Sequence, residues 1–327
     1  MSSVSRVPQT RTMDGGELSA DDARTTLRHY GRLKLVKDSF VRFRYGDGFS
    51  HSRALGLQLV LSLIPLGIAF VGLSSVVNAD RLGAVLREVL LRVTPGSTDE
   101  LVRQTLTKDT DSAGSGNELA LWIGLAVALA ALTTAMGQVE RGANRIYGIQ
   151  RDRPALHKYG RAVLMALSAG LLSLLGFLVV VAGGTVGDVL ARTYRWTDAQ
   201  HAAWDVARFP VGILLALAAF TLLIERSPRR RQPGWSWIAI GAGVSLTLWV
   251  VFTYGLSLYV QSSGSFGSTY GPLTGVMALL LWAYLTSIAL FLGIAFGAQL
   301  EAVRAGVREP EVGDPELARR VADTTVT

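Results

Sequence analysis

The chain has 327 residues, of which 50% are hydrophobic and only 17% are charged. A soluble domain usually carries about 25% charged residues, so this composition indicates a membrane protein. The sequence contains no cysteine, which excludes disulfides, thiol catalysis and cysteine-ligated metals. A formal net charge of +7 raises nucleic-acid binding as an alternative function.

Six apolar stretches account for this composition. A helix needs about 20 predominantly apolar residues to cross about 30 Å of hydrocarbon. The fourth stretch is short, and the last two are long enough to tilt or to extend past the membrane face. The predicted fold is therefore an all-α, polytopic bundle of six transmembrane helices. The spans are predicted at 54–77, 119–136, 162–183, 209–224, 236–260 and 273–300.

Basic residues are distributed unevenly between the two sides of the predicted bundle. Of the 32 Lys and Arg residues, 24 lie in the two termini and in the second and fourth loops. Basic residues accumulate on the cytoplasmic side of membrane proteins, so both termini are predicted to be cytoplasmic. The positive net charge then reflects topology, and we expect no nucleic-acid partner.

The regions outside the spans divide into several segments. Residues 1–21 are polar and are predicted to be disordered, as is a cytoplasmic tail at 306–327. Residues 22–53 predict a basic amphipathic cytoplasmic helix that precedes a transmembrane bundle at 54–305. This helix either lies on the anionic inner leaflet or packs against the ends of the spans. The outer loop 78–118 also predicts amphipathic helices, from apolar residues at helical spacing.

The spans themselves contain almost no ionisable chemistry. The carboxylates nearest the membrane, Glu140, Asp188, Glu225 and Glu301, all lie at span ends. Pumps usually place an ionisable residue well inside the bundle, so we do not expect ion-coupled transport through a buried titratable group. The four histidines lie far apart in the sequence, without metal-ligand spacing. We therefore expect no catalytic residue, no metal site and no cofactor.

A polar face runs along the first span. Gln58, Ser62 and Pro65 recur at i, i+4 and i+7, which places them on one side of a helix. Proline removes a backbone hydrogen bond and can kink a helix, and a kink beside polar side chains is one way to line a cavity. Tight packing of the same face is the alternative, and the spacing does not distinguish the two.

A second polar group follows the second span. Glu140, Arg141, Asn144, Arg145 and Tyr147 continue that helix beyond the membrane face. Glu140 and Asn144 share one side of the helix, as do Arg141 and Arg145. We hypothesise that Asn144 ties the helix to a neighbouring span and that the two arginines contact lipid headgroups or partner carboxylates. A solvated charged face is the alternative.

Three motifs, in this order and spacing, resemble the BrkB/YihY family of bacterial inner-membrane proteins. The first is SLIPL at 62–66, and the second is NRIYG at 144–148. The third is the last span, where Tyr270–Gly271 precede LWAY at 281–284 and a small-residue stretch from Gly293. The resemblance covers about residues 30–305.

The chain departs from the family pattern at three places. Leu57–Gln58 replace an expected aromatic pair, and Ala143 stands where the family more often has leucine. Gly297–Ala298 replace a usual Ala-Glu pair, so a carboxylate is missing from that turn, and Glu301 is the nearest acid that follows.

The resemblance implies a non-enzymatic envelope-integrity protein of the bacterial inner membrane that binds or moves a lipid or amphiphile. A scaffold that transports nothing is the competing function, and a ribonuclease, a label once given to some members, is a remote alternative. A groove between the first and last spans adds Tyr270 and Trp282 to Gln58, Ser62 and Pro65 as candidate substrate contacts. Membrane lipids are the expected partners, and a homo-oligomer is left open.

The distribution of basic residues predicts the result of reporter fusions. Fusions after Arg153 and Arg230 should report the cytoplasm, because basic loops stay on that side. Fusions near Ser112 and Ser265 should report the outside. The reverse pattern at either pair would contradict the six-span topology.

Overall fold

The computed structural model describes residues 4–9, 19–76, 115–181, 183–184, 187–188, 191, 195–262 and 274–310. Long α-helices make up most of these ranges, which confirms the predicted all-α fold. The helices are α1 (Ala20–Tyr30), α2 (Arg32–Tyr45), α3 (Gly48–Val76), α4 (Ser115–Ile146), α5 (Ala155–Val181), α6 (Asp198–Arg226), α7 (Trp235–Ser262) and α8 (Thr274–Arg304).

The predicted helix at 22–53 is divided between α1, α2 and the first turns of α3. Ser19 caps α1, since its side chain accepts from the Asp22 backbone N–H while the Asp22 carboxylate accepts from Ser19 N–H. The chain then turns at Gly31, whose φ of 94° suits glycine and disfavours other residues. A second break follows at Gly46 and Asp47, before α3 begins.

Helix α2 packs against the bundle on one face only. Leu35 and Phe43 are fully buried, and α2 contacts α8. Leu33 and Val36, on the other side, are 88% and 57% exposed. Packing against the span ends is therefore observed for one face of this helix, while its second apolar face is uncovered.

The six long helices form a closed ring. Each packs most extensively against a sequence neighbour, in the pairs α3 with α4, α5 with α6, and α7 with α8. Contacts between α4 and α5, α6 and α7, and α8 and α3 join the pairs into the ring. Within the described residues, α4 to α8 are long and apolar enough to span a membrane. Helix α3 is not among those five, so six spans with cytoplasmic termini stay a prediction.

Small residues let α8 approach its neighbours closely. A Cβ on Gly293 would lie 2.6 Å from the Gly241 carbonyl oxygen of α7 and would collide with the Ser245 hydroxyl. On the other side of α8, a Cβ on Gly56 of α3 would lie 3.0 Å from the Tyr284 backbone. A larger side chain at either position would force the helices apart. Close packing of α8 against α7 and α3 therefore requires glycine at both positions.

Substitution of Gly293 should show the importance of this packing. Gly293→Ala places a methyl group against the α7 backbone and should destabilise the protein by about 1–3 kcal/mol through overpacking. The matched control is Gly243→Ala on α7, where a Cβ would meet nothing within 4 Å. That change should be neutral or stabilising, because alanine favours a helix by about 0.5–1 kcal/mol over glycine. Thermal unfolding in detergent measures both, and equal melting temperatures for the two variants would contradict the packing argument.

Candidate functional site

A dense polar network lies at the end of the bundle where α4, α6 and α8 finish and α5 and α7 begin. We call this the basic end. Glu140 is buried in α4 and forms a 3.0 Å ion pair with Arg153 of the α4–α5 loop. Arg153 also donates to the carbonyl oxygens of Ser227 and Pro228, at 3.0 and 2.7 Å. One guanidinium therefore links α4 to the two residues that follow the end of α6.

Asn144 makes a second link in the same region. Its side chain is fully buried, its amide nitrogen donates to Asp152 at 3.0 Å, and its carbonyl oxygen accepts from the Arg229 backbone N–H at 2.7 Å. Asn144 thus joins α4 to the α4–α5 loop and to the α6–α7 loop, rather than to the apolar part of a neighbouring span. The sequence indicated this residue but not its partners, of which Asp152 is 8 and Arg229 is 85 positions away.

Asp152 is held in its ionised form by this network. Burial acts to raise the pKa of its carboxyl group, but hydrogen bonds from Asn144 and Lys158 outweigh it. The pKa of Asp152 consequently lies below its ordinary value of 3.8. Lys158 completes the arrangement with a 2.9 Å ion pair to Asp152.

The other predicted members of the cluster have different surroundings. Arg141 is exposed, whereas Arg145 is half-buried and makes contacts of its own. Tyr147 is buried, and the Arg230 guanidinium lies 4.7 Å from its ring centre in a cation–π contact. Burial raises the pKa of Tyr147 to about 12, and the nearby carboxylate of Glu301 acts in the same direction.

Several residues of the basic end are not among the candidate site residues predicted from the sequence, although Glu301 was noted as a carboxylate at a span end. Glu301 is buried at the end of α8 and forms an ion pair with Arg230. Arg42 of α2 is fully buried and donates to Gln299 of α8 at 2.7 Å. The basic run at 226–231 was interpreted only as a topology signal, and nothing in the sequence distinguishes Arg230 from its neighbours.

Residues 4–9 also belong to the basic end, although they fall within the segment predicted to be disordered. Val4 and Val7 are buried, and the Val7 N–H donates to the Tyr147 carbonyl oxygen at 3.2 Å. Ser5 N–H donates to the Pro310 carbonyl oxygen at 2.9 Å. The polar composition that suggested disorder does not reveal these partners, which lie in other parts of the chain.

The candidates on the first and last spans are placed differently from one another. Ser62 and Pro65 are buried in α3, which continues through the proline, and the Ser62 hydroxyl donates to the Leu59 carbonyl oxygen at 2.7 Å. Gln58 is half-buried. The Trp282 indole donates to Thr253 of α7 at 3.2 Å. Tyr270 lies outside the described residues.

The bundle is packed unequally along its length. Residues 198–211 of α6, 246–262 of α7 and 274–282 of α8 include no fully buried side chain. Nearer the basic end the same helices bury many residues, and most of α8 from Ser287 to Ala302 is inaccessible. We call the region formed by these three stretches the open end. The predicted contact Trp282 and its hydrogen-bond partner Thr253 lie within it, whereas Ser62 and Pro65 are packed.

Loss of Asn144 should measure the strength of the loop connection. Asn144→Ala leaves the Arg229 N–H without its acceptor and removes a donor from Asp152. A buried group left unsatisfied costs about 1–3 kcal/mol, so the melting temperature in detergent should fall.

Arg141→Ala is the matched control, since Arg141 is an exposed residue of the same helix. An exposed substitution of this kind should change stability by less than about 0.5 kcal/mol. A melting temperature for Asn144→Ala equal to that of the control would indicate that the Asn144 contacts contribute nothing.

Sequence comparisons place this architecture among known proteins. A protein from Bacillus subtilis (strain 168) named as the ribonuclease-like protein YfkH is 24% identical over 271 residues, covering 82% of this chain and 95% of YfkH. A UPF0761 membrane protein of Rhodospirillum centenum is 27% identical over 297 residues, covering 88% of this chain. The chain spans only 63% of that relative's length. No solved structure matches the chain.

The family description "Virulence factor BrkB" matches residues 39–316, which include α3 to α8 and most of the basic end. The match agrees with the motifs in the first, second and last spans. The UPF0761 relatives are membrane proteins by name, which agrees with the five helices among the described residues that are long and apolar enough to span a membrane. The chain therefore belongs to the BrkB family of multi-pass bacterial membrane proteins.

Proposed function

We propose that this protein is a non-enzymatic component of the bacterial envelope that binds or moves a lipid or a lipid-like amphiphile at the open end of its bundle. The observation that carries the proposal is the absence of fully buried side chains in residues 246–262 of α7 and 274–282 of α8.

The length of the α7 and α8 stretches shows that the lack of burial is not confined to one side of each helix. An α-helix has 3.6 residues per turn, so each stretch covers all sides of its helix at least twice. A lipid-facing helix of a solid bundle would expose one side and bury the other. Here the sides turned toward neighbouring helices are also incompletely covered, so we expect an acyl chain to pack against them.

The composition of the α7 and α8 stretches of the open end suits an amphiphile. Residues 246–262 and 274–282 contain no charged side chain. Their surfaces are formed by aliphatic and aromatic groups, including Val250, Leu258, Val276 and Met277. Binding sites for apolar ligands have this character, with a few polar groups that orient the ligand. Thr253 and Trp282, joined by their hydrogen bond, are such groups.

A scaffold without transport is the second candidate. It is favoured by the solid packing of the basic end, where α8 is almost inaccessible and ion pairs join the loops. A ribonuclease is the third candidate, suggested by the name of the Bacillus subtilis relative. The open end favours the binding or movement of an amphiphile, since neither the scaffold nor the ribonuclease requires incompletely packed apolar helices.

Cysteine labelling tests the proposal, because the natural chain has no cysteine. Leu256→Cys and Val260→Cys lie at half-buried positions of α7, on the same side as Thr253. A small charged thiol reagent should modify both in reconstituted membranes, since the space beside them admits water when no lipid is bound. A short-chain phospholipid should then slow the reaction by competing for the same space.

The matched control is Leu258→Cys, on the exposed side of the same helix. Membrane acyl chains should cover this position and protect it from a charged reagent. If the cysteines at 256 and 260 are as unreactive as that at 258, the open end holds no accessible space and the scaffold function is favoured.

A further inference from the structure

Two buried guanidinium groups at the basic end face residues 4–9. Arg42 is fully buried, and the Arg230 side chain is only 2% exposed. Burial of a cation is costly unless its charge is compensated and all of its donors are used. The partners of the two arginines are therefore informative.

Arg42 has no carboxylate partner among the residues that the structure describes. Its Nε donates to the Gln299 side chain at 2.7 Å, and one Nη donates to the Ile146 carbonyl oxygen at 3.1 Å. The other contacts go to Ser5, whose carbonyl oxygen lies 2.9 Å and whose hydroxyl lies 3.0 Å from the guanidinium. Neutral oxygens thus satisfy a buried positive charge, and burial lowers the pKa of Arg42 to about 10.

Arg230 contributes to the same surface. It forms its ion pair with Glu301 and also donates to the Pro8 carbonyl oxygen at 3.1 Å and to that of Val7 at 3.4 Å. Glu301 offsets one of the two positive charges, so Arg42 and Arg230 together retain an excess of one. Besides Gln299 and the Ile146 carbonyl oxygen, the groups that face this excess are the backbone carbonyls and the hydroxyl of residues 5–8.

We propose that Arg42 and Arg230 form a binding site for a phosphate group, and that residues 4–9 occupy this site as a displaceable segment of the chain itself. The planar, multiple-donor guanidinium matches phosphate oxygens in geometry. Hydrogen bonds to a charged acceptor are roughly twice as strong as those to a neutral one. A phosphate would supply both the acceptors that residues 5–8 provide and the negative charge that they lack.

The site lies at the opposite end of the bundle from the open end and does not depend on the function proposed there. Hydrogen bonds hold residues 4–9 in place. Their partners are the two arginines and the carbonyl oxygens of Tyr147, Glu309 and Pro310. If the segment is docked about 90% of the time, it raises the apparent Kd for phosphate about tenfold.

Deletion of residues 4–9 from the otherwise full chain tests the proposal. In detergent the deletion variant should melt at a lower temperature than the natural chain, and inorganic phosphate should raise its melting temperature, since a ligand stabilises the state that binds it. The natural chain should need about tenfold more phosphate for the same shift. Sodium chloride at equal ionic strength controls for screening, and should not reproduce the effect.

Two further variants locate the effect. Arg42→Gln in the deletion variant should abolish the response to phosphate, whereas Arg44→Gln should preserve it, because Arg44 is exposed. Nanodiscs with phosphatidylglycerol or with phosphatidylcholine identify the source of the phosphate. A response to the anionic lipid but not to free phosphate would indicate a headgroup site, and a response to free phosphate would indicate a soluble ligand.

The proposal is overturned if neither free phosphate nor phosphatidylglycerol stabilises the deletion variant, if Arg42→Gln leaves the response intact, or if chloride matches it. If the deletion variant does not fold, the full chain provides the test through Ser5→Asp and Ser5→Asn. A carboxylate at position 5 should raise the melting temperature above that of the amide variant, because it pairs with Arg42. Equal melting temperatures would show that the site has no preference for an anion.

Discussion

The close approach of α8 to three other helices is the constraint on which the rest of the structure depends. Gly293 lies against α7, Tyr284 lies against Gly56 of α3, and the Phe291 ring fills the space above Gly142 of α4. Between helices in a membrane the hydrophobic effect contributes little, so association relies on van der Waals contact, which needs short distances. The small residues of α8 and its partners provide them. Because α8 contacts both α7 and α3, the same packing closes the ring.

Close packing also sets the conditions for the basic end. Once α4, α6 and α8 finish side by side, their terminal carbonyl groups and the loops between them are brought out of water. Each buried polar group then needs a partner, and arginines supply several donors at once. Arg153 joins Glu140 to the carbonyl groups of Ser227 and Pro228, and Arg161 donates to that of Arg226. The network therefore connects consecutive helix pairs at the one end where they meet tightly.

The bundle is packed tightly at the basic end and incompletely at the open end. The basic end holds the helices in register through glycine contacts and buried ion pairs. In the open end, the α7 and α8 stretches carry bulky apolar residues and no charged side chain, whereas the α6 stretch also carries Asp198, His201, Asp205 and Arg208. This combination is compatible with the amphiphile binding that we propose, since an acyl chain enters a bundle only where helices are incompletely packed.

Composition and periodicity by themselves determined the helical class, the membrane location and the family of this protein. These properties depend on the length of the apolar runs and on local motifs, which act without reference to the rest of the chain. The sequence also indicated Asn144 and Glu140, since polar residues on one side of a helix stand out beside an apolar span.

Only the tertiary structure decided their partners, the packed state of Ser62 and Pro65, and the position of residues 4–9. The physical reason is that hydrogen bonds such as those of Arg42 with Ser5 and Gln299 join residues 37 and 257 positions apart. No local pattern encodes which distant backbone oxygen will meet a buried guanidinium, because that depends on how the helices pack.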